Sequence, residues 1–152
     1  MIVVVACTAS GGIAHLGKTP WHLPEDLKFF WDITQDSVMI MGRKTYDAIP
    51  KHRLENKDLI VFSKSQKGPF FVSSLDGCLE QLKNYPHKKV CVTGGQDIFE
   101  LFFKNQLIDI VLLTRVYADY PCDRYFPLRY IDGWTDTCFR EDKEFSIHRL
   151  QR

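Results

Sequence analysis

Five short runs of mostly apolar, β-branched residues constrain this chain more than any other feature: 2–7, 37–41, 59–62, 90–93 and 108–116. Ile2-Val3-Val4-Val5-Ala6-Cys7 shows no in-and-out alternation, which is the pattern of a strand buried on both faces of a mostly parallel sheet. Between the runs lie segments that read as helices: Pro24 to about Ile33, Gly42 to near Pro50, Leu75 to Leu82 behind a Ser74 cap, and Gln96 to Phe103. Phe70-Phe71-Val72 reads as a further short strand, His52–Asp58 as a polar connection, and 136–151 leaves room for only a short hairpin. The expected fold is α/β: a single mixed, mostly parallel β-sheet with helices on both faces and an antiparallel C-terminal hairpin. At 152 residues the whole chain, 1–152, is expected to form one domain.

Composition removes several function classes. The net charge is +1 and there is no basic tract, so no nucleic-acid partner is expected. Cys7, Cys78, Cys91, Cys122 and Cys138 are widely spaced and contain no C-x-x-C pair, so neither a disulfide framework nor a zinc site is indicated, and a reducing compartment is expected. The five histidines fall in no ligand spacing, so no metal is expected. No G-x-S-x-G or other nucleophile motif is present. The apolar start lacks a basic flank and is too short for a signal peptide or a membrane span, which implies a cytoplasmic protein without a membrane partner.

Two arrangements carry chemistry. Pro24 suits a helix start, and Leu23, Leu27, Phe30 and Trp31 then form an apolar stripe that carries Asp26 one turn before Phe30. Asp26 and Glu25 could simply complement the helix dipole. Alternatively, Asp26 is a lone acid in an apolar cleft closed by Trp21 and the two prolines, able to grip a cationic or amidine-like ligand. The second arrangement is a pair of strand-glycine-helix junctions, Met41-Gly42-Arg43-Lys44-Thr45 and Thr93-Gly94-Gly95-Gln96. Each presents free N–H groups and the positive end of a helix dipole, and two on neighbouring parallel strands can hold the two ends of a dinucleotide. A cationic surface turn and a tight glycine turn are the plainer readings of the same residues. The Rossmann fingerprint is absent. Ala9–Thr19, with Gly11, Gly12 and Gly17, reads as a long mobile loop of the kind that is usually functional.

Pro20-Trp21-His22-Leu23-Pro24-Glu25-Asp26-Leu27 resembles the P-W-x-L-P-x-D-L signature of dihydrofolate reductases, and at least six segments match that family in order. Gly42-Arg43-Lys44-Thr45 resembles its M-G-R-x-T segment, Gly94-Gly95 its I-G-G, Ser74-Leu75-Asp76 its S-L-D, and Tyr125-Phe126-Pro127 the end of its D-x-x-F-P. The resemblance implies NADPH-dependent reduction of 7,8-dihydrofolate to 5,6,7,8-tetrahydrofolate, by hydride transfer to C6 and protonation at N5, in a monomer. It implies Asp26, Trp21 and Thr114 as catalytic residues, the Thr114 hydroxyl bonding Asp26. Val5, Ala6, Leu27, Phe30, Ile49, Leu54, Lys57 and Thr93 would bind substrate. Ala6, Ile13, Gly42, Arg43, Lys44, Thr45, Ser63, Lys64, Gly94, Gly95, Gln96, Asp97, Ile98 and Phe99 would bind cofactor, with 9–19 as a lid braced by Asp123. The chain departs from the family at Ala14 and Thr19 in the lid, at Lys57 in place of an arginine that clamps the folate α-carboxylate, at Thr93 and Phe99, and in its short ending. Two other readings stay open: a pterin or pyrimidine reductase with a relaxed demand for the tail, and a folate- or nucleotide-binding protein without catalysis.

Overall fold

Eight of the ten strands join in one sheet, in the order β5-β4-β3-β6-β1-β7-β10-β9. The computed structural model describes all 152 residues, Met1–Arg152. In chain order the elements are β1 (Ile2–Cys7), β2 (Gly12–Ala14), α1 (Pro24–Ile33), β3 (Ser37–Gly42), α2 (Arg43–Ala48), α3 (Lys51–Leu54), β4 (Asp58–Phe62), β5 (Phe71–Val72), α4 (Leu75–Leu82), β6 (Lys89–Gly94), α5 (Gln96–Lys104), β7 (Ile110–Val116), β8 (Arg124–Tyr125), a 3-10 turn at Leu128–Ile131, β9 (Thr135–Glu141) and β10 (Phe145–Gln151). β1 pairs in parallel with β6 and β7, β3 with β4 and β6, and β4 with β5. Only β10 runs against its neighbours, β7 and β9. The apolar runs are therefore the central parallel strands, and the C-terminal hairpin extends the same sheet.

The two faces of the sheet are packed differently. On one, Val3, Val5 and Cys7 of β1 join Val38, Ile40, Ile60 and Val92 beneath α5, whose Phe99, Phe102 and Phe103 complete a large core. On the other, α1 lies over two smaller clusters. Met39, Met41, Leu59 and Val61 meet Leu54, Phe30, Trp31 and Ile49 on one side. Leu23, Val116, Phe145 and Ile147 meet Ala6, Trp21 and Phe29 on the other. No residue of α1 is fully buried, and Leu27 remains 47% exposed. An apolar helix face divided between two clusters in this way leaves a cleft along the middle of the sheet.

Three features differ from the sequence expectation. The polar connection after Pro50 contains the helical turn α3, which brings Leu54 into the core at 6% exposure. The glycine-rich 9–19 segment is not a free loop, because β2 pairs antiparallel with β8 in a separate two-stranded ladder. Strand β7 starts at Ile110 rather than Ile108, and Ile108 is buried just ahead of it. No helix is long and apolar enough to cross a membrane.

Candidate active site

Asp26 is placed by the start of α1, where Pro24 occupies the first turn and Leu23 is buried against β7 and β10 residues. Its Oδ1 accepts a hydrogen bond from the Thr114 hydroxyl at 2.6 Å. Thr114 is 2% exposed in the middle of β7, so its hydroxyl has a partner where an unmet one would be costly. Burial pushes the Asp26 pKa up, opposed by the Thr114 hydrogen bond and by the Arg140 charge. A carboxylate with a raised pKa in an apolar cleft is a recurrent mark of a functional acid.

Beside Thr114 of β7 the sheet presents Ala6 of β1, its partner in register, and on the same face Thr93 of β6, while Leu27 and Phe30 follow Asp26 along α1. Ile49 and Leu54 pack with Phe30 on the β3–β4 side. Thr93 donates its hydroxyl to the Ile40 carbonyl at 3.2 Å, which accounts for a polar residue in this floor. Val5 does not belong to this lining. Its side chain packs in the opposite core under α5, because it alternates with Ala6, so only its main chain can face the cleft. Trp21 packs on the Leu23, Val116, Phe145 and Ile147 cluster, with its ring centroid 5.6 Å from that of Tyr120. Lys57 lies 5.6 Å from the Trp31 ring centroid, and Arg53, unremarked in the sequence, lies 5.8 Å from the same ring.

At the carboxyl ends of the strands the two glycine junctions are neighbours. Met41 pairs with Gly94 and Gly42 with Phe62, so Gly94-Gly95, Gly42-Arg43 and Ser63-Lys64 follow one another along a single edge. Helices α2 and α5 begin there without a side-chain cap, whereas Ser74 caps α4 through the Gly77 N–H. Their first N–H groups are thus free to meet an anion. Gly94 has φ +126°, a conformation that suits glycine, and the Gly94–Gly95 peptide is cis. Thr45 Oγ1 would lie 3.6 Å from a Cβ at Gly95, and Ile98 Cγ1 would lie 3.3 Å from one at Gly42. Such a cradle fits the phosphates of a dinucleotide, where backbone must approach closely.

The remaining sequence candidates divide by what their side chains do. Ile98 and Phe99 are buried in the core, supporting Gly42 and Gly94 from below. Gln96 uses its side-chain oxygen to accept the Tyr125 N–H at 2.8 Å, which leaves its backbone at the edge. Ser63 accepts the Gln66 N–H at 3.0 Å and so shapes the turn that carries exposed Lys64. Arg43 pairs with Asp47 at 3.3 Å, while Lys44 and Asp97 are exposed at the starts of α2 and α5. Ile13 sits in β2, half-buried against the large core. The β2 ladder is fixed to 123–126: Asp123 Oδ2 accepts the Leu16 N–H at 3.0 Å, and Asp123 N–H donates to the Ala14 carbonyl at 2.8 Å. No three His, Cys, Asp or Glu side chains gather to hold a metal ion.

A family profile described as Dihydrofolate reductase matches residues 1–148. The bifunctional dihydrofolate reductase-thymidylate synthase of Paramecium tetraurelia is 35% identical over 125 residues, covering 81% of this chain and 27% of that protein. The dihydrofolate reductase of Ureaplasma parvum is 30% identical over 136 residues, 86% of this chain and 84% of its own length. That of Pneumocystis carinii is 27% identical, with 97% of this chain and 83% of that protein aligned. The chain thus spans about a quarter of the bifunctional relatives it matches (27% in Paramecium) and most of the single-function ones. Sheet order and glycine edge define an α/β protein with a mixed sheet, whose two strand-glycine-helix junctions stand side by side at the carboxyl ends of parallel strands. Within that class, the chain belongs to the dihydrofolate reductase family. The family uses a nicotinamide cofactor and acts on a small-molecule substrate.

Proposed function

We propose that residues 1–152 act as one domain that reduces 7,8-dihydrofolate to 5,6,7,8-tetrahydrofolate with NADPH, in the cytoplasm and as a monomer. The observation that carries this reading is the Thr114–Asp26 hydrogen bond set in an apolar cleft. Unpaired Cys7, Cys78 and Cys91, all buried, fit a reducing compartment. The preference for NADPH rests on cations along the glycine edge: Arg43 and Lys64 can neutralise a ribose 2′-phosphate by charge-assisted contacts.

Asp26 offers a carboxylate that accepts two parallel hydrogen bonds from an amidine-like edge, here the 2-amino and N3 edge of the pterin. Thr114 fixes the orientation of that carboxylate, and therefore of the ring. Leu27, Phe30, Ile49 and Leu54 exclude water from the ring faces and the start of the tail. When bound, the dihydronicotinamide supplies the hydride that C6 receives. Trp21 stands where the cleft opens, so that a water beside it can carry a proton toward N5 while Asp26 keeps the pterin edge polarised. Lys57 supplies a point charge for the tail carboxylate where an arginine would supply a planar fork.

The test is a steady-state assay of NADPH oxidation with dihydrofolate, folate and dihydropterin as alternative substrates. Turnover of dihydrofolate well above the other two is expected. Equal turnover of dihydropterin would point to a reductase indifferent to the tail, and binding without oxidation would leave only a binding protein.

A further inference from the structure

Strands β9 and β10 pair with a one-residue irregularity: Ile147 lies opposite Arg140, but the next residue, His148, lies opposite Cys138. Phe139 is the extra residue. A bulge of this kind lets two successive side chains engage the same face, where regular alternation would allow one. Here both engage α1. The Phe139 ring lies 6.0 Å from that of Phe29, and Arg140 Nη2 lies 3.4 Å from Glu25 Oε2, on the residue just before Asp26. The guanidinium is held further by Asp142 Oδ2 at 3.4 Å and by the face of Phe145, 5.4 Å from its centroid. Phe145 is itself 3% exposed and shares a cluster with Leu23 and Trp21. The cation is therefore anchored on three sides at the first turn of the helix that carries the cleft acid.

We propose that Arg140 is a positioning residue for Asp26: the bulge at Phe139 seats a guanidinium against Glu25 in the first turn of α1, where it offsets the negative charge beside the cleft carboxylate. The proposal rests on the reading of Asp26 as the working acid. Other ionisable groups stand on the elements that meet here: His22, Glu25 and Lys28 on or before α1, Tyr117 and Tyr120 after β7, and Glu141, Asp142, Lys143 and Glu144 at the hairpin turn. Lys28 is directed to Asp32, its i,i+4 partner, and Arg115 to Asp136. Arg140 is the one whose charge bears on Asp26, lowering its pKa against burial. Its partial exposure means that salt weakens the effect.

The test follows the Asp26 carboxyl directly, by 13C NMR titration of the full chain labelled at aspartate Cγ, its resonance assigned by loss in Asp26→Asn. In Arg140→Gln the Asp26 midpoint should move up relative to the wild type, and Arg140→Lys should recover most of the difference. Raising ionic strength should move the wild-type midpoint up and leave the Arg140→Gln midpoint nearly still. Coincident midpoints in wild type and a folded Arg140→Gln would overturn the proposal. Should that variant fail to fold, a wild-type midpoint indifferent to salt would overturn it equally. No substrate or cofactor enters this measurement. An active Asp26→Asn would sink the catalytic reading without touching the titration, and an unmoved titration beside an inactive Asp26→Asn would sink only the role of Arg140.

Discussion

The hydroxyl of Thr114 donates to Oδ1 of Asp26 across 2.6 Å, joining the middle of β7 to the first turn of α1. Two opposed effects meet at that bond. Burial favours the neutral acid, while a hydrogen bond donated to the carboxylate favours the charged one. Thr114 thus both orients the acid and restrains the rise in its pKa.

Replacing Thr114 with Val keeps the shape of β7 and removes the donor. The Asp26 titration midpoint should rise, and kcat/KM for dihydrofolate should fall at least about tenfold, the lower end of the ~1.5–3 kcal/mol scale of a hydrogen bond to a charged group. Carboxyl NMR and steady-state kinetics on the same preparation check both. A lower rate with an unmoved midpoint would make Thr114 a packing residue only.

Gly12 opens β2 and pairs with Tyr125 in the β2–β8 ladder, where an added Cβ would run into Cys122 Sγ and sit 2.7 Å from Cys122 Cβ and 3.0 Å from Thr8 Oγ1. Gly12→Ala must push the 122–125 segment away. A loss of about 1–3 kcal/mol is expected, lowering the melting temperature on the order of 5 °C, with a weaker hold on the 9–19 segment. Thermal melting measures the first and protease sensitivity near Leu16 the second. An unchanged melt would show that the ladder yields freely.

Lys64 stands exposed two residues beyond the end of β4 at Phe62. Lys64→Glu should reduce the NADPH over NADH preference in kcat/KM by at least tenfold, because a charge-assisted phosphate contact is replaced by repulsion. An unchanged ratio would remove Lys64 from the cofactor site.

Much of this arrangement is legible in the residues, and what escapes does so for identifiable reasons. The β-branched runs announce the central strands, and Pro24 with the Leu23, Leu27, Phe30 stripe announces α1 over the span it adopts. The four-residue α3 is too short to show a helical period, so only Pro50 hints at it. The β2–β8 ladder joins three residues to two over a hundred positions away, and nothing local encodes it. A run without alternation cannot say which face a residue takes, which is why Val5 belongs to the core under α5 and not to the cleft. Arg140 is invisible in the sequence because its direction depends on the register shift at Phe139, a property of the β9–β10 pairing. Arg53 escapes with α3, since only that turn brings it to Trp31.

The raised pKa of Asp26 has a consequence for stability. Its native pKa lies above the unfolded value of 3.8, so the native state binds more protons in the window between the two, and stability falls as pH rises through that window. Above the native pKa the ionised acid is a cost of the site. Asp26→Asn should therefore raise the melting temperature at pH 7 by roughly 2–4 °C, the response of a chain this size to ~1 kcal/mol. The gain should vanish as pH falls below the unfolded value. A gain independent of pH would show that the asparagine stabilises by packing instead.

The most direct test of the account is single-turnover hydride transfer against pH in wild type and Asp26→Asn, with circular dichroism to check the fold. Dihydrofolate must gain a proton at N5 as C6 receives hydride, and at neutral pH the site must assist that step. Asparagine keeps the size and polarity at the helix start, so an acid that only complements the dipole would leave the rate largely as it was. The account predicts a folded variant that still binds NADPH, has lost most of its rate near pH 7, and recovers as falling pH delivers substrate already protonated. Matching pH profiles with comparable rates in the two proteins would contradict it.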